Sequence, residues 1–243
     1  MKAYLACDIG KVRTENQDCV RFEKLSDGIL ALVCDGMGGM QNGSAASRIA
    51  ITTAAESFLQ RYQPGMTPPE VSALLRICAV DANHSVYREA VHGAEPSRMG
   101  STLVAAYVRQ NTACIVNVGD SRAYLIPAEG EVRQLTTDHT VVQLLYEKGV
   151  ITADERATHI RRNELMRAIG VSARVLPDTH IVTLNAGDRL LLCSDGLYGM
   201  LTPGQITEVC RSCTSEEFPE RAVSAANANG GRDNISVVLV DPA

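Results

Sequence analysis

Short apolar runs with strand character recur along the chain, interrupted by two long stretches with helical spacing. Residues 29–34 (Ile, Leu, Ala, Leu, Val, Cys) are apolar throughout, too short for a helix, and bounded by Asp27-Gly28 before and glycines after, which predicts a buried strand. Residues 1–9 predict an earlier strand, and the alternation Cys19-Val20-Arg21-Phe22 another. Over residues 44–62 the apolar positions Ile51, Ala55, Phe58 and Tyr62 follow alternating four- and three-residue steps, which predicts a helix ended by Pro64-Gly65. Thr67-Pro68-Pro69-Glu70 then reads as a capping box with proline in the first turn, and Val71, Leu75, Cys78, Ala82 and Val86 mark one face of a second long helix. These two helices are expected to pair antiparallel against a sheet. His84 and His92, in or near the second, read as surface or packing residues.

From Gly100 the texture returns to strands. Residues 102–108, 113–118, 121–126 and 132–135 are separated by Gln110-Asn111, Gly119-Asp120 and Glu129-Gly130, a spacing that predicts an antiparallel meander. Thr136-Thr137-Asp138-His139 is expected to open a helix running to Tyr146, Thr152-Ala153-Asp154-Glu155 is another capping box, and residues 161–164 precede a short helix ending at Gly170. Residues 180–184, 189–193 and 235–240 supply the last strands. Two helices lie between them, from Thr202 to about Cys213 and from somewhere in 214–219 to Ala228. Taken alone, this pattern specifies strands layered with helix pairs and nothing finer.

With 243 residues of which 45% are hydrophobic, the chain can bury a substantial core, and no Pro/Ser-rich linker or charge block divides it, so a single domain over 1–243 is expected. A net charge of −5 without clustered Lys or Arg argues against nucleic acid or an anionic membrane as partner. No apolar run approaches the roughly 20 residues of a spanning helix, and residues 1–7 meet Asp8 too early for a signal peptide; a cytoplasmic location is expected. The eight cysteines form no disulfide-scaffold pattern: Cys34, Cys114 and Cys193 sit inside apolar strands, and Cys210-Arg211-Ser212-Cys213 lacks the second pair of a zinc site.

The candidate chemistry lies in aspartates at strand edges. Asp35 follows the first apolar run and precedes Gly36-Met37-Gly38-Gly39, glycines that let the backbone turn and leave the Gly36 carbonyl open to a small hard cation. Asp195 ends Leu190-Leu191-Leu192-Cys193-Ser194, Asp120 ends Val116-Asn117-Val118-Gly119, Asp18 closes Arg13-Thr14-Glu15-Asn16-Gln17, and Asp233 stands in Gly230-Gly231-Arg232-Asp233-Asn234 before the final apolar run. Each alone is also what a turn former looks like. An all-oxygen set of this kind suits Mg²⁺ or Mn²⁺ rather than zinc, and no His/Cys ligand set competes. Ser101 has no base motif beside it and no G-x-S-x-G elbow, and Gly36-Met37-Gly38-Gly39 lacks the continuation of a P-loop or dinucleotide fingerprint.

As a set, in order and wording, these segments resemble the metal-dependent serine/threonine phosphatases of the PP2C (PPM) family, bacterial branch, over nearly the whole chain. The resemblance implies an α+β fold, a four-layer α-β-β-α sandwich of two stacked antiparallel sheets flanked by helix pairs, with a flap at about 138–170. Gly10-Lys11-Val12-Arg13-Thr14-Glu15-Asn16-Gln17-Asp18 matches the signature G-x-x-R-x-x-N-x-D, which makes Arg13 the phosphate grip and places Asp18 with the metal cluster. A guanidinium fork suits two phosphate oxygens at once. The implied centre is binuclear and bridged by Asp35: Asp35 and the Gly36 carbonyl serve one Mn²⁺ or Mg²⁺, Asp35, Asp195 and Asp233 the other, and Asp120 helps hold a third ion. Met99-Gly100-Ser101-Thr102 and Val118-Gly119-Asp120-Ser121-Arg122 resemble two further family signatures.

Water activated between the ions would attack phosphoserine or phosphothreonine in a protein substrate, opposing a bacterial serine/threonine kinase, and a monomer is expected. Arg161 and Arg162 are candidates for steering an anionic phosphopeptide, with a solvated charge pair as the plainer reading; His139 and His159 are expected to be structural. Animal members carry a histidine where this chain has Met37, so the leaving-group acid is unassigned; water at the metal centre is the expectation, and kcat is expected to lack a limb near pH 6.5. Two other readings share the motifs: a non-catalytic phosphoprotein-binding pseudophosphatase, against which the intact carboxylate set argues, and a phosphatase of a sigma-factor partner-switching regulator.

Overall fold

The computed structural model describes residues 1–38, 42–92 and 99–242; Gly39, the last glycine of the Asp35 segment, lies outside the described residues. In chain order the elements are β1 (Lys2–Asp8), β2 (Asp18–Lys24), β3 (Ile29–Met37), α1 (Asn42–Arg61), α2 (Pro68–His92), β4 (Gly100–Ser101), β5 (Leu103–Arg109), β6 (Thr112–Val118), β7 (Arg122–Ile126), β8 (Arg133–Gln134), α3 (Val141–Glu147), α4 (Ala153–Thr158), β9 (Asp178–Thr183), β10 (Arg189–Cys193), α5 (Asp195–Tyr198), α6 (Pro203–Arg211), α7 (Phe218–Ala228) and β11 (Ile235–Asp241). One sheet has the order β1-β11-β10-β7-β8, the other β2-β3-β5-β6-β9 with β4 attached to β3, and every pairing is antiparallel.

The apolar run 29–34 is continuous because both of its faces are covered. Ile29, Ala31 and Val33 point between the sheets, where they meet Val104, Ala106, Ile115, Leu190, Leu192 and Val238. Leu30, Leu32 and Cys34 point the other way, into a core shared with Phe58 of α1 and Leu75 and Cys78 of α2. On the second sheet Leu191, Cys193, Val237 and Leu239 face Ile206 of α6 and Phe218 and Ala222 of α7. Three apolar layers therefore separate four layers of secondary structure, the α-β-β-α sandwich. Each fully buried Leu, such as Leu30, Leu190 or Leu191, contributes about 1.5–3 kcal/mol relative to exposure. The alanines Ala46, Ala50, Ala54 and Ala55 on the inner face of α1 are fully or almost fully buried and let the helix lie close to the sheet. His84 and His92 are exposed.

Four expectations are corrected. The meander breaks after β6: β7 pairs with β10 and β8 in the opposite sheet, while β6 takes β9 as its neighbour. The crossing runs through Gly119, whose φ of +103° suits glycine and whose Cβ would lie 2.7 Å from Thr102 Cγ2. β3 continues beyond Cys34 through Asp35 to Met37, because Asp18 on one side and Ser101 and Gly100 on the other extend its ladder. The helix expected from Thr136 starts at Val141 behind the cap Thr140, since Asp138 and His139 are committed to tertiary bonds described below. Residues 161–170 form no helix; turns and two isolated bridges, Leu165 to Thr140 and Ile169 to Ser101, hold that segment.

Candidate active site

Asp35 and Asp18 are directly opposite each other in the β3–β2 ladder, so their side chains share one face. Asp35 is fixed through its backbone: its N–H donates to Thr102 Oγ1 (2.9 Å), and its carbonyl accepts from the Thr102 N–H (2.8 Å) and the Ser101 hydroxyl (3.1 Å). Thr102 Oγ1 is in turn 2.6 Å from Ser121 Oγ. Gly36 is required by close approach rather than by a turn: a Cβ there would stand 2.0 Å from the Gly43 carbonyl oxygen and 2.7 Å from that of Gln17.

Asp195 is the first residue of α5, a single helical turn not foreseen from the sequence, with Ser194 before it. The Ser194 hydroxyl donates to Asp18 Oδ2 (2.7 Å) while accepting the Ser236 N–H (3.0 Å), which ties the ends of β2, β10 and β11 together. Gly196 must also be glycine, because a Cβ would lie 1.9 Å from the Asn234 carbonyl oxygen. Asp120 follows the Gly119 crossing, and its carbonyl accepts from the Tyr198 hydroxyl (3.0 Å). Beside it Arg122 makes a two-point pair with Asp138 (2.9 and 2.6 Å) and stacks 3.5 Å over the Tyr198 ring. Asp233 is reached from the N-terminal loop: Arg13 donates to its Oδ2 at 2.6 Å.

Asn234, named in the sequence only as part of a motif, closes that junction. Its Oδ1 accepts the Gln17 N–H (2.8 Å) and its Nδ2 donates to the carbonyls of Ile9 and Glu15 (both 3.0 Å). Together with the Lys11 N–H bond to Gly231 O (2.7 Å), these contacts hold the loop carrying Arg13 against β11. A buried Asn before a strand carries no local signal for three partners so distant in sequence; only the tertiary structure reveals it. Thr102 and Ser194 were missed for the same reason.

Arg13, Asp35, Gly36, Asp120, Asp195 and Asp233 all line one cleft of about 690 Å³. Asp18, 7% exposed, sits across the ladder from Asp35 and is not part of that lining. Burial is the main reason these carboxyls resist ionisation: Asp18 and Asp120 are pushed up to about 6, and Asp35 and Asp195 well above the usual range, with the neighbouring aspartates adding repulsion. Oδ1 of Asp18 and Oδ1 of Asp195 are buried without a hydrogen-bond partner. No three His, Cys, Asp or Glu side chains among the described residues are gathered as a finished metal cage; the carboxylates surround the cleft, and Asp233 is held by Arg13. Orphaned carboxylate oxygens at and beside an aspartate-lined cleft are nevertheless the donors a hard divalent cation takes.

Of the expected flap, Arg161 and Arg162 do not line the main cleft, whereas Asn163, Glu164, Leu165, Met166 and Ala168 do. Arg161 is engaged by both carboxylate oxygens of Glu164 (2.6 and 2.7 Å). Arg162 borders a neighbouring hollow of about 380 Å³ that shares Asp120 and Asp195 with the main cleft. Neither candidate histidine lines the main cleft. His139 is buried, accepts the Gly119 N–H at Nδ1 (3.1 Å) and so carries its proton on Nε2, facing Asp178 Oδ2 at 3.0 Å. His159 Nδ1 accepts the Arg161 N–H (3.1 Å).

A four-layer sandwich with an aspartate-lined cleft at the ends of its inner strands defines a class, that of the PPM-type phosphatases. The family description "Protein phosphatase 2C" matches residues 11–236. The serine/threonine phosphatase stp of Listeria monocytogenes is 36% identical over 243 residues, covering 99% of this chain and 96% of that protein. Serine/threonine phosphatase Stp1 from Staphylococcus aureus shares the fold with a TM-score of 0.91 at 33% identity, over 98% of this chain and 94% of the other. The catalytic domain of the phosphatase PstP, solved in complex with two manganese ions, matches with a TM-score of 0.81 at 31% identity, over 98% of this chain and 96% of that one. The chain belongs to the protein phosphatase 2C family, and its function is that of a serine/threonine protein phosphatase.

Proposed function

We propose that the protein removes phosphate from phosphoserine and phosphothreonine in proteins with the help of divalent cations, Mn²⁺ or Mg²⁺, held in the aspartate-lined cleft. The observation that carries this reading is the pair of orphaned oxygens on Asp18 and Asp195 within a group of mutually repelling, buried and half-buried carboxyls. Buried charge without a partner costs several kcal/mol, and a cation is the partner that removes the cost. Asp35, the Gly36 carbonyl, Asp195 and Asp233 would hold two ions, with Asp18 behind them and Asp120 beside a third. Bound there, the ions would make water more acidic and offset charge on the phosphoryl oxygens.

The chain's own residues supply the rest. Arg13 stands at the cleft edge with its side chain 55% exposed; turning from Asp233 to the substrate presents a guanidinium fork to two phosphate oxygens and frees a carboxylate for a cation. Met37 lines the cleft, and with His139 and His159 outside it no imidazole among the described residues is placed to protonate the leaving serine or threonine oxygen. The segment 138–170 would act as the flap beside the substrate, and the counterpart enzyme would be a serine/threonine kinase.

The test is hydrolysis of p-nitrophenyl phosphate and of a phosphothreonine peptide with Mn²⁺, with and without EDTA, in wild type and Asp35→Ala. Metal-dependent turnover that the substitution abolishes is expected. Its absence at every pH would overturn the proposal.

A further inference from the structure

The main cleft has two unlike walls. Its polar lining carries the aspartates and Arg13, whereas among the described residues every apolar side chain in the lining, Met37, Leu165, Met166, Ala168 and Val171, comes from the end of β3 or from the segment after Glu164. Met166 is 53% and Val171 63% exposed, so this wall keeps apolar surface in contact with water beside a site built for a charged group. The wall is anchored: Ile169 and Ser101 exchange two backbone bonds (3.0 and 2.8 Å), and the Met166 N–H donates to the His139 carbonyl (2.8 Å). Gly100 lets its halves meet, since a Cβ there would lie 2.9 Å from Val171 Cγ2 and 3.0 Å from Met37 Cε.

Met37 is two residues beyond Asp35 in β3, hence on the same face of the strand and roughly 7 Å further along. An extended peptide advances about 3.3–3.6 Å per residue. A substrate whose phosphate reaches the aspartates therefore sets a side chain one or two positions away against Met37, Met166 and Val171.

We propose that these three residues form a specificity subsite for an aliphatic or aromatic side chain within two residues of the phosphorylated serine or threonine, an inference that rests on the phosphoprotein reading above. The occupant is the substrate peptide itself, because the wall is continuous with the cleft that receives its phosphate. Acidic residues at the same position would meet apolar surface next to a cluster of aspartates.

The test compares kcat/KM for phosphothreonine peptides carrying Leu, Gly, Asp or Lys at each of the two positions on either side, alongside p-nitrophenyl phosphate, for wild type, Met166→Asp and Val171→Asp. In the wild type Leu at one of these positions is expected to exceed Gly by about tenfold, the scale of a partly buried apolar contact, with Asp below Gly. Both variants, normalised to their own p-nitrophenyl phosphate rate, are expected to lose the Leu preference and to gain on the Lys peptide. Turnover of p-nitrophenyl phosphate with peptides equal within about twofold, or variants that keep the wild-type order, overturns the subsite alone. No turnover of any substrate overturns both readings.

Discussion

Removing divalent cations should make the protein's stability fall as pH rises from 5 to 7.5, the reverse of what paired carboxylates give. Asp18 and Asp120 are pushed up to about 6 from an ordinary 3.8, chiefly by burial. Between those values the folded chain holds protons that the unfolded chain has released, so this contribution is fully present below about 3.8 and is lost as pH rises through 6. Over the window from 5 to 7.5 each such carboxyl loses between about 1 and 2 kcal/mol, roughly 3 kcal/mol for the two. At about 2–4 °C per kcal/mol for a chain of this size, the expected fall in Tm is about 6–12 °C. Asp35 and Asp195, raised further, deepen it.

His139 works in the opposite sense. Burial lowers its pKa despite Asp178, so the stability it contributes grows as pH rises from its folded value towards its unfolded value near 6.5 and is complete above that. Because His139 lies outside the cleft, its contribution is equal with and without cations and cancels in the difference. The assay is therefore calorimetric or fluorimetric melting in EDTA and in excess Mn²⁺ at pH 5, 6 and 7.5. The gap between the two melts should widen with pH by at least about 6–12 °C, since protons and cations compete for the same oxygens. A gap that is constant, or widest at pH 5, would refute the reasoning.

Gly36→Ala should cost at least about 3 kcal/mol in a urea titration and abolish turnover, because the added methyl meets two backbone carbonyls rather than a movable side chain. Arg13→Lys should raise KM for a phosphothreonine peptide about tenfold through loss of the two-point fork, while Tm changes little, the Arg13–Asp233 pair being substantially exposed. The pH profile of kcat should show no limb near 6.5, and His139→Gln should leave its shape unchanged while lowering Tm; a limb that disappears in that variant would assign His139 a chemical role. Tyr107→Phe removes a hydroxyl bonded to Asp27 Oδ1 and to the Tyr62 hydroxyl (both 2.7 Å). It should lower unfolding free energy by about 1–3 kcal/mol without affecting phosphatase activity.

The elements that were legible are those whose cause is local. The apolar face of α1, the capping box at Thr152, the helix start at Thr202 and the buried strand from Ile29 were all readable because spacing and cap chemistry act within a few residues. The early start given to α3 and the helix expected before Gly170 failed where tertiary bonds outweigh propensity: Asp138 is drawn to Arg122, His139 to Gly119 and Asp178, and Ile169 to Ser101. Gly36 was read as a glycine that lets the backbone turn, whereas what excludes a side chain there is the backbone of α1 and of the loop before β2.

By itself the sequence determined the alternation of strands and helix pairs, the aspartates at strand ends and the absence of a competing imidazole at Met37. Only the tertiary structure decided that β7 leaves the sheet of β6, that Asn234 and Ser194 fasten the site, and that the apolar residues after Glu164 face the aspartates across a single cleft. The reason is range. Periodicity reports on a residue's nearest turns, whereas Ser194 meets Asp18 across 176 residues and Arg13 meets Asp233 across 220. Contacts of that span are fixed by the pairing order of the strands and the packing of the two sheets.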